Sequence, residues 1–398
     1  MTGAGDLHAS LQGERVRQRL RALVAAAGGW LPFDQYMQVA LYEPGLGYYS
    51  AGARKLGAGG DFTTAPEISP LFGQCLAAHC DEVLRTLGGG DVLEIGAGTG
   101  RLACDVLREL DARQRLPQRY RMLEISADLR ERQRACIAQL PARLAALVDW
   151  IDVPPAQPWQ GALLANEVLD ALPVQRFVVE ARAGAQGYDV RALGVGVNKG
   201  GAFTWSARPA DAALAAEVDR VRAGLPGRWP ARYASELCLL LQPWLIEVTA
   251  SMQRGVALFV DYGLPRSEYF HPDRSDGTLR CHYRQQAHVD PFAHPGLEDI
   301  TAWVDFTRVA EAADAAGLDV LGYATQAAML LGLGIEAAVH NAPGEVTRIR
   351  RASEARQLLL PTGMGETFKC IALGRAFPVG ENGAPLAAFS VQDLRDRL

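Results

Sequence analysis

The sequence of 398 residues contains no run of about 18 consecutive apolar residues, so we expect no membrane-spanning helix. It also lacks a cationic start followed by an apolar block and a small-residue cleavage site, which argues against a secretory signal. Hydrophobic residues make up 49% and charged residues 21%, a balance that rules out intrinsic disorder. The 41 glycines and 22 prolines show no Gly-X-Y period, which excludes collagen. The composition therefore predicts a globular protein of two to three domain lengths.

The charge and the cysteines exclude further classes. Forty Lys and Arg against 45 Asp and Glu give a net charge of −5, so we expect no nucleic-acid partner. Seven cysteines form an odd, scattered set without a CxxC pair, and most lie in apolar stretches, where free Cys behaves as a small hydrophobe. A reducing compartment follows: the cytoplasm, or the mitochondrial matrix if the chain is eukaryotic.

A strand–helix alternation begins at residue 91. Apolar strands are predicted over 91–96, 120–125 and 161–168, and helices over 101–110 and 127–140. Strands that alternate with helices are typical of an α/β fold with a mostly parallel sheet, covered by helices on both faces.

The alternation breaks after Pro173. Short β segments over 174–210 predict an inserted antiparallel piece with a hairpin turn at Asn198–Gly201, and 233–252 has helical periodicity. An apolar strand is predicted over 256–263, and the chain closes with a helix, a strand, two helical stretches and a last strand. We divide the chain into an N-terminal helical and lid segment (1–75), a cofactor-binding half (76–173), an inserted β/helical portion (174–245) and a second half (246–398) with a long irregular loop at 264–300.

A glycine-rich loop, Gly96-Ala97-Gly98-Thr99-Gly100, directly follows the first strand of the alternation. Glycines there allow a tight turn and a close approach of a ligand to the backbone. A dinucleotide-binding loop would need a third glycine where Arg101 stands. With Glu94 two places before the loop, the pattern resembles that of class I methyltransferases, which bind S-adenosyl-L-methionine. In that arrangement Glu124, at the end of the next strand, holds the ribose hydroxyls.

Other residues are candidates for the remaining parts of the cofactor. Asp149 and Trp150 could meet the adenine, or form a surface turn with a packed Trp. Asp61, Thr63 and Thr64 could contact the amino-acid end, or make local turn and cap bonds. The Gly-rich stretch before them predicts that residues 51–75 act as a lid. The full set of predicted cofactor contacts is Glu94, Gly96, Ala97, Gly98, Gly100, Glu124, Asp149, Trp150, Asn166, Asp61, Thr63 and Thr64.

Five blocks of sequence carry a closer resemblance. They are GGDFTTAPEISPLFGQ (59–74), LEIGAGTGRL (93–102), ANEVLDALPV (165–174), VDYG (260–263) and GTLRCHYRQQAHVDPFAHPGLEDITAWVDFT (277–307). In this order the blocks resemble the MidA family, over about residues 15–375. The resemblance implies a class I, Rossmann-like, seven-stranded and mostly parallel methyltransferase sheet, with an added N-terminal helical segment and an inserted α+β portion. It also implies S-adenosyl-L-methionine as the cofactor.

The mitochondrial members of this family resemble a protein arginine methyltransferase that assists assembly of respiratory complex I. The resemblance therefore implies a protein substrate, with a complex I subunit as one candidate. Because a guanidinium is always protonated in water, carboxylates are needed to orient it and to receive its proton. Glu167 is our first catalytic candidate and Asp170 the second. Alternatively, Asp170 caps the following turn and Glu167 binds backbone N–H groups.

Two alternative functions stay open, a small-molecule methyltransferase and a non-catalytic assembly factor that keeps the cofactor fold. The oligomeric state is open as well. His282, His288 and His294 recur at a spacing that is not typical of zinc ligands, and no CxxC pair accompanies them, so we expect no metal. With Arg280, Tyr283 and Arg284 they would line an acceptor channel or bond within their loop.

Overall fold

The computed structural model describes residues 3–50, 63–182, 187–378 and 385–398, with the backbone alone for residues 3–10. Its strands are β1 (Leu31–Pro32), β2 (Asp91–Ile95), β3 (Tyr120–Leu123), β4 (Val148–Ile151), β5 (Trp159–Asn166), β6 (Gln175–Ala181), β7 (Tyr188–Val197), β8 (Phe203–Pro209), β9 (Arg232–Leu237), β10 (Met252–Leu264), β11 (Arg280–Tyr283), β12 (Gln286–His288), β13 (Asp299–Thr301), β14 (Val304–Asp305), β15 (Asp319–Thr325) and β16 (Phe368–Arg375).

Its α-helices are α1 (Gly3–Ala26), α2 (Phe33–Tyr42), α3 (Ala65–Ile68), α4 (Pro70–Leu87), α5 (Arg101–Ala112), α6 (Ala127–Ile137), α7 (Ala142–Ala145), α8 (Ala212–Ala223), α9 (Leu241–Thr249), α10 (Arg266–Tyr269), α11 (Phe306–Ala315), α12 (Gln326–Gly332), α13 (Ile335–His340) and α14 (Glu345–Leu359). Short 3-10 turns follow at Ala387–Phe389 and Arg395–Arg397. Of the helices in these ranges, none combines the length and the apolar character that a transmembrane segment needs.

The central sheet has the strand order β15-β16-β10-β5-β2-β3-β4. The five strands from β10 to β4 run parallel, whereas β16 is antiparallel to both of its neighbours. The short β14 adds two residues beside the end of β10. The predicted seven-stranded, mostly parallel sheet is therefore confirmed.

The apolar residues of the central strands pack into two separate hydrophobic cores, one on each face of the sheet. Val92 packs on one face with α4 and α5, and its neighbour Leu93 packs on the other face with α9 and α11. Leu164 and Leu163 divide in the same way. Strands buried on both faces have continuous apolar sequences. This burial explains why β2 and β5 were recognisable from their sequences.

A second sheet, of order β1-β7-β6-β9 with β8 beside β7, is antiparallel throughout. It contains the antiparallel segment predicted for 174–210, including the turn at Asn198–Gly201, where Gly201 N–H donates to the Asn198 carbonyl at 2.9 Å. Because β1 of the N-terminal segment pairs with β7, this sheet is built from two distant parts of the chain. The division of the chain into four parts stays a prediction.

Two expectations about secondary structure were wrong. The helix predicted over 233–252 is strand β9 followed by the shorter helix α9, because residues 232–237 pair with β6 across their whole length. The stretch 264–300, expected to be irregular, contains α10 and a small sheet of order β12-β11-β13. The first error arises because long-range pairing with β6 overrides local periodicity.

Candidate functional site

A cavity of about 650 Å³ opens at the carboxyl ends of the parallel strands β2, β3, β4 and β5. Loops at this edge of an open α/β sheet are where ligands bind. The volume lies within the range of small-molecule sites. The cavity is lined by residues of the glycine loop, by the residues that follow β3, β4 and β5, and by parts of α2, α3 and α9.

The glycine loop forms one wall of the cavity. Gly96, Ala97 and Gly98 line it, and the φ angles of Gly96 and Gly98 are +67° and +53°. Such φ values favour glycine, because a side chain there is strained. Gly100, also predicted to bind the cofactor, does not line the cavity. A Cβ at Gly100 would lie 3.1 Å from the Cα of Gln133, so Gly100 instead allows α5 and α6 to pack closely.

Glu124 lies directly after β3, lines the cavity and is 6% exposed. Its Oε1 accepts a hydrogen bond from the Ser126 N–H at 2.9 Å, and its Oε2 accepts one from Gln133 Nε2 at 3.0 Å. Burial raises the pKa of Glu124, and the two hydrogen bonds oppose that rise. These two hydrogen bonds orient the carboxylate and leave further lone pairs on its oxygens for a ligand.

Gln133 was missed by sequence reasoning. Its Nε2 also donates to the Gly98 carbonyl at 3.0 Å, and its Oε1 accepts from Trp150 Nε1 at 3.0 Å. The side chain is fully buried and joins the glycine loop to Glu124. A glutamine within a polar helix gives no sequence signal of such a role.

Glu94, two residues before the loop, lines the floor of the cavity and is 2% exposed. It accepts a hydrogen bond from the Tyr120 hydroxyl at 2.6 Å. Burial raises the pKa of Glu94 to about 7. The predicted residue therefore contributes a buried carboxyl group to the site.

The two residues expected near the adenine lie outside the cavity wall. Asp149 and Trp150 lie within strand β4 and do not line the cavity. Asp149 is 3.8 Å from Arg119, and Trp150 reaches the site only through Gln133. Asp152, the first acid after the strand, lines the cavity instead. The sequence signal that was missed is the position of Asp152 directly after a strand, a position that Glu124 and Glu167 share.

The segment before α4 meets the glycine loop. Thr64 lines the cavity as the residue before α3, whereas Thr63 is exposed and does not line it. Asp61, and residues 51–62 of the predicted lid, lie outside the described residues. Glu67 of α3 lines the cavity and accepts a hydrogen bond from the Thr99 hydroxyl at 2.5 Å. The lid stays a prediction.

Glu167 lines the cavity directly after β5. Its φ is +55°, a strained value for a residue other than glycine, and such strain clusters at functional sites. Its carboxyl group accepts hydrogen bonds from Asn166 Nδ2, at 3.0 Å, and from the Ala65 N–H. Burial, followed by the charge of Asp170, raises the pKa of Glu167 to about 8. Asn166 also lines the cavity, and its predicted contact with the cofactor stays a prediction.

Asp170 does not line the cavity and is 3% exposed. The hydroxyl of Tyr262 hydrogen-bonds its carboxyl group, and burial raises the pKa of Asp170 to about 6. Asp261 is buried behind it. Its Oδ2 accepts from the N–H groups of Val168, Leu169 and Asp170, at 3.1, 2.8 and 3.3 Å. Asp261 therefore fixes the backbone that carries Glu167.

The cavity extends beyond the cofactor residues into a second part, bounded by α2 and α9. We call it the outer chamber. It is lined by Gln38, Tyr42, Tyr49, Ala171, Leu172, Pro173, Leu240, Pro243, Trp244 and Glu247. Its wall is mostly apolar and aromatic. Ala171, Leu172 and Pro173 belong to the loop after β5 that the sequence placed at the site, and sequence reasoning identified none of the others.

The histidines expected to line an acceptor channel lie elsewhere. His288 is 3.0 Å from Glu298, and the His294 ring stacks on Tyr283 with centroids 4.1 Å apart. Neither they, nor His282, Arg280 and Arg284, line the cavity. These contacts favour the other expectation, bonding within the loop. Over the described ranges, no cluster of three or more His, Cys, Asp or Glu side chains could hold a metal ion.

Comparisons with known proteins agree with this geometry. A family model described as "Putative S-adenosyl-L-methionine-dependent methyltransferase" matches residues 75–324. The chain is 30% identical to the mitochondrial protein arginine methyltransferase NDUFAF7 homolog of Drosophila melanogaster, over 89% of this chain and 84% of that protein. The human protein arginine methyltransferase NDUFAF7 is 25% identical, over 87% and 80%.

A solved structure covers the same fold. A Burkholderia thailandensis protein crystallised with S-adenosyl-homocysteine is 39% identical, with a TM-score of 0.90 over 100% of this chain and 99% of that chain. The agreement over the full length confirms the predicted α/β methyltransferase fold.

Proposed function

We propose, since the chain belongs to the family of S-adenosyl-L-methionine-dependent methyltransferases, that it transfers a methyl group to an arginine side chain of a protein. The cofactor is S-adenosyl-L-methionine. The arginine acceptor is the finer part of the proposal. Relatives named as protein arginine methyltransferases support it, and so do the carboxyl groups gathered around Glu167.

The residues present fit this cofactor. Gly96 and Gly98 place no side chain between the loop backbone and a ligand, and their positive φ angles favour glycine. Glu124 is positioned by two hydrogen bonds to receive ribose hydroxyls. Ile125, beside Glu124, is 65% exposed and offers the ligand an apolar surface. Asp152 offers the ligand a hydrogen-bond acceptor. When bound, S-adenosyl-L-methionine supplies a methyl group on a positively charged sulfur.

Glu167 carries the proposal. A guanidinium has five N–H donors and a pKa above about 12, so methylation of one of its nitrogens requires that a proton leave. Glu167 is a half-buried carboxyl group that lines the cavity, and its neighbour Val168 lies against Gly96 of the glycine loop. In the free protein its raised pKa keeps much of it protonated at neutral pH. A guanidinium beside it favours the carboxylate, which can orient the plane of the cation and then accept the proton at an Oε atom.

The test is transfer of labelled methyl from S-adenosyl-L-methionine to lysate proteins of a strain that lacks this protein. Acid hydrolysis of the labelled protein should release methylated arginine, and Glu167→Gln should remove the signal. Label in the small-molecule fraction would instead establish the small-molecule alternative. Bound cofactor without any transfer would establish the assembly-factor alternative.

The identity of the substrate and the compartment are proposals too. A subunit of respiratory complex I is the first protein to test, because the resemblance to the MidA family implies it. We place the protein in the cytoplasm, or in the mitochondrial matrix of a eukaryotic cell. Mass spectrometry of complex I from cells with and without the protein would reveal an arginine whose methylation depends on it.

A further inference from the structure

The outer chamber contains two tyrosines, Tyr42 and Tyr49, whose hydroxyl groups both donate their hydrogen to acceptors of the protein itself. The Tyr42 hydroxyl donates to the Ala171 carbonyl at 2.8 Å. The Tyr49 hydroxyl donates to Asp299 Oδ1, also at 2.8 Å. Their rings stack, with centroids 5.5 Å apart and an interplanar angle of 24°. The pair therefore forms one rigid wall of the chamber.

A phenol oxygen has one hydrogen and two lone pairs. Because the hydrogens of Tyr42 and Tyr49 already point to protein acceptors, each oxygen keeps only lone pairs for a ligand. Burial, together with the charge of Asp299, raises the pKa of both hydroxyls well above the ordinary value, so both hydroxyls keep their hydrogen at neutral pH. Each tyrosine can therefore accept a hydrogen bond from a ligand without being able to donate one.

The groups around this wall add acidic side chains and further hydrogen-bond acceptors. Glu167 lines the same cavity, and Asp299 is 2% exposed behind Tyr49. The Oδ1 atom of Asn166 is buried and, among the described residues, accepts no hydrogen bond. A ligand that brings N–H donors and positive charge satisfies such surroundings. A neutral ligand with its own carbonyl would place lone pair against lone pair.

We propose that Tyr42 and Tyr49 form the subsite that receives the methyl acceptor, and that Asp299 is a positioning residue that fixes the direction of the Tyr49 hydroxyl. This inference rests on the proposed methyltransferase function and specifies how that site selects its substrate. The chemistry selected is a cationic, donor-only side-chain head, a guanidinium in preference to the neutral urea of the same shape. The apolar residues Leu172, Pro173 and Leu240 would flank its aliphatic stem.

The first experiment measures binding of two small probes in the presence of saturating S-adenosylhomocysteine. The probes are Nα-acetyl-arginine methylamide and Nα-acetyl-citrulline methylamide, which differ by a guanidinium NH₂ group in place of a carbonyl oxygen. We expect the arginine probe to bind at least about tenfold more tightly, the scale of a hydrogen bond to a charged group. An equal affinity for the two probes would overturn the subsite.

Variants separate the subsite from mere folding. Tyr49→Phe removes the oxygen and should bring the ratio of the two affinities close to one. Asp299→Asn should have a similar effect, because the amide can donate to Tyr49 and release the phenol hydrogen toward the ligand. Tyr188→Phe is the matched control, since that hydroxyl bonds the Trp229 carbonyl far from the cavity. A ratio that Tyr49→Phe leaves unchanged would contradict the proposal.

The same variants distinguish failure of the subsite from failure of the proposed function. If wild type and Tyr49→Phe produce methylarginine at equal rates, the subsite is wrong and the proposed function stands. If no protein produces methylarginine but the probe ratio collapses in Tyr49→Phe, the subsite is supported and arginine methylation is wrong. A raised KM for the acceptor in Tyr49→Phe, at unchanged cofactor affinity, supports both.

Discussion

The side-chain amide of Gln133 holds Glu124, with Nε2 3.0 Å from Oε2 of the carboxylate. The second hydrogen of the same Nε2 is directed to the Gly98 carbonyl, again at 3.0 Å. One buried amide thus fixes both the carboxylate expected to hold the ribose and the loop expected to approach the rest of the cofactor.

We therefore expect Gln133→Leu to weaken S-adenosyl-L-methionine binding by about tenfold, because Glu124 loses a hydrogen bond that orients it. Isothermal titration of the folded variant measures this directly. Gln139→Leu is the matched control, since Gln139 is exposed near the end of the same helical segment. Unchanged affinity in Gln133→Leu would mean that Glu124 is positioned by Ser126 alone.

Gly98 provides a test of the glycine loop. Its φ of +53° disfavours a branched side chain, and any side chain would occupy space at the cavity wall. Gly98→Val should lower the affinity for S-adenosyl-L-methionine by at least about tenfold, or about 1.4 kcal/mol.

The control for Gly98→Val is Gly201→Val, which has a similar φ of +80° in a hairpin turn and no heavy atom within 4 Å of an added Cβ. It carries the same kind of backbone strain away from the cavity. If both variants lose stability equally and both bind the cofactor normally, the glycine loop does not form the binding site.

The parts of the fold that sequence analysis recovered are those in which local pattern and burial agree. Strands β2 and β5 are buried on both faces, so their apolar runs stood out, and the glycine loop follows β2 directly. Strand β9 was missed because it contains the polar residues Ser235 and Glu236, which are nevertheless buried. They are buried in a strand that pairs with β6, a pairing that the local sequence does not indicate.

The site was predictable where a residue follows a strand and was hidden elsewhere. Glu124 and Glu167 were identified by that rule, and Asp152 would have been identified if β4 had been recognised as a strand. Tyr42, Tyr49 and Trp244 reach the cavity from α2, the turn after it and α9. No local sequence pattern records that these elements meet, because the contact depends on the packing of two sheets.

Asp261 should be a residue of stability and not of catalysis. Its carboxyl group accepts from three consecutive N–H groups and, through Oδ1, from the Tyr262 N–H at 2.9 Å. Asp261→Ala leaves these buried donors unpaired, and an unpaired buried donor costs about 1–3 kcal/mol. We expect a loss of about 3 kcal/mol or more in the free energy of unfolding, measured by urea denaturation.

Asp189→Ala is the control for Asp261→Ala, since Asp189 makes an exposed ion pair with Arg182. Its substitution should change the free energy of unfolding by no more than about 0.5 kcal/mol. If Asp261→Ala unfolds like wild type but no longer transfers methyl groups, Asp261 would replace Glu167 as the leading catalytic candidate.

Glu167→Gln separates cofactor binding from chemistry. The substitution keeps the shape and removes the charge, and the cofactor does not require that charge. We expect normal S-adenosyl-L-methionine affinity and a fall in methyl transfer of about 10²-fold or more, the scale of a lost acid–base group. Glu180→Gln, at an exposed ion pair with Arg191, is the control. Loss of both activities would make Glu167 a cofactor or folding residue, and near wild-type turnover would move attention to Asp170.

The pH dependence of the wild type provides an independent test of the same carboxyl group. Burial raises its pKa to about 8, so in the free protein the neutral form dominates below that pH. Because only the carboxylate can orient a guanidinium and accept its proton, kcat/KM should fall as the pH is lowered through about 8, approaching tenfold per pH unit. In Glu167→Gln, the residual activity should lack this inflection. A wild-type profile that is flat between pH 6.5 and 9, or an inflection that survives in the variant, would assign the titration to another group and leave Glu167 without the proposed role.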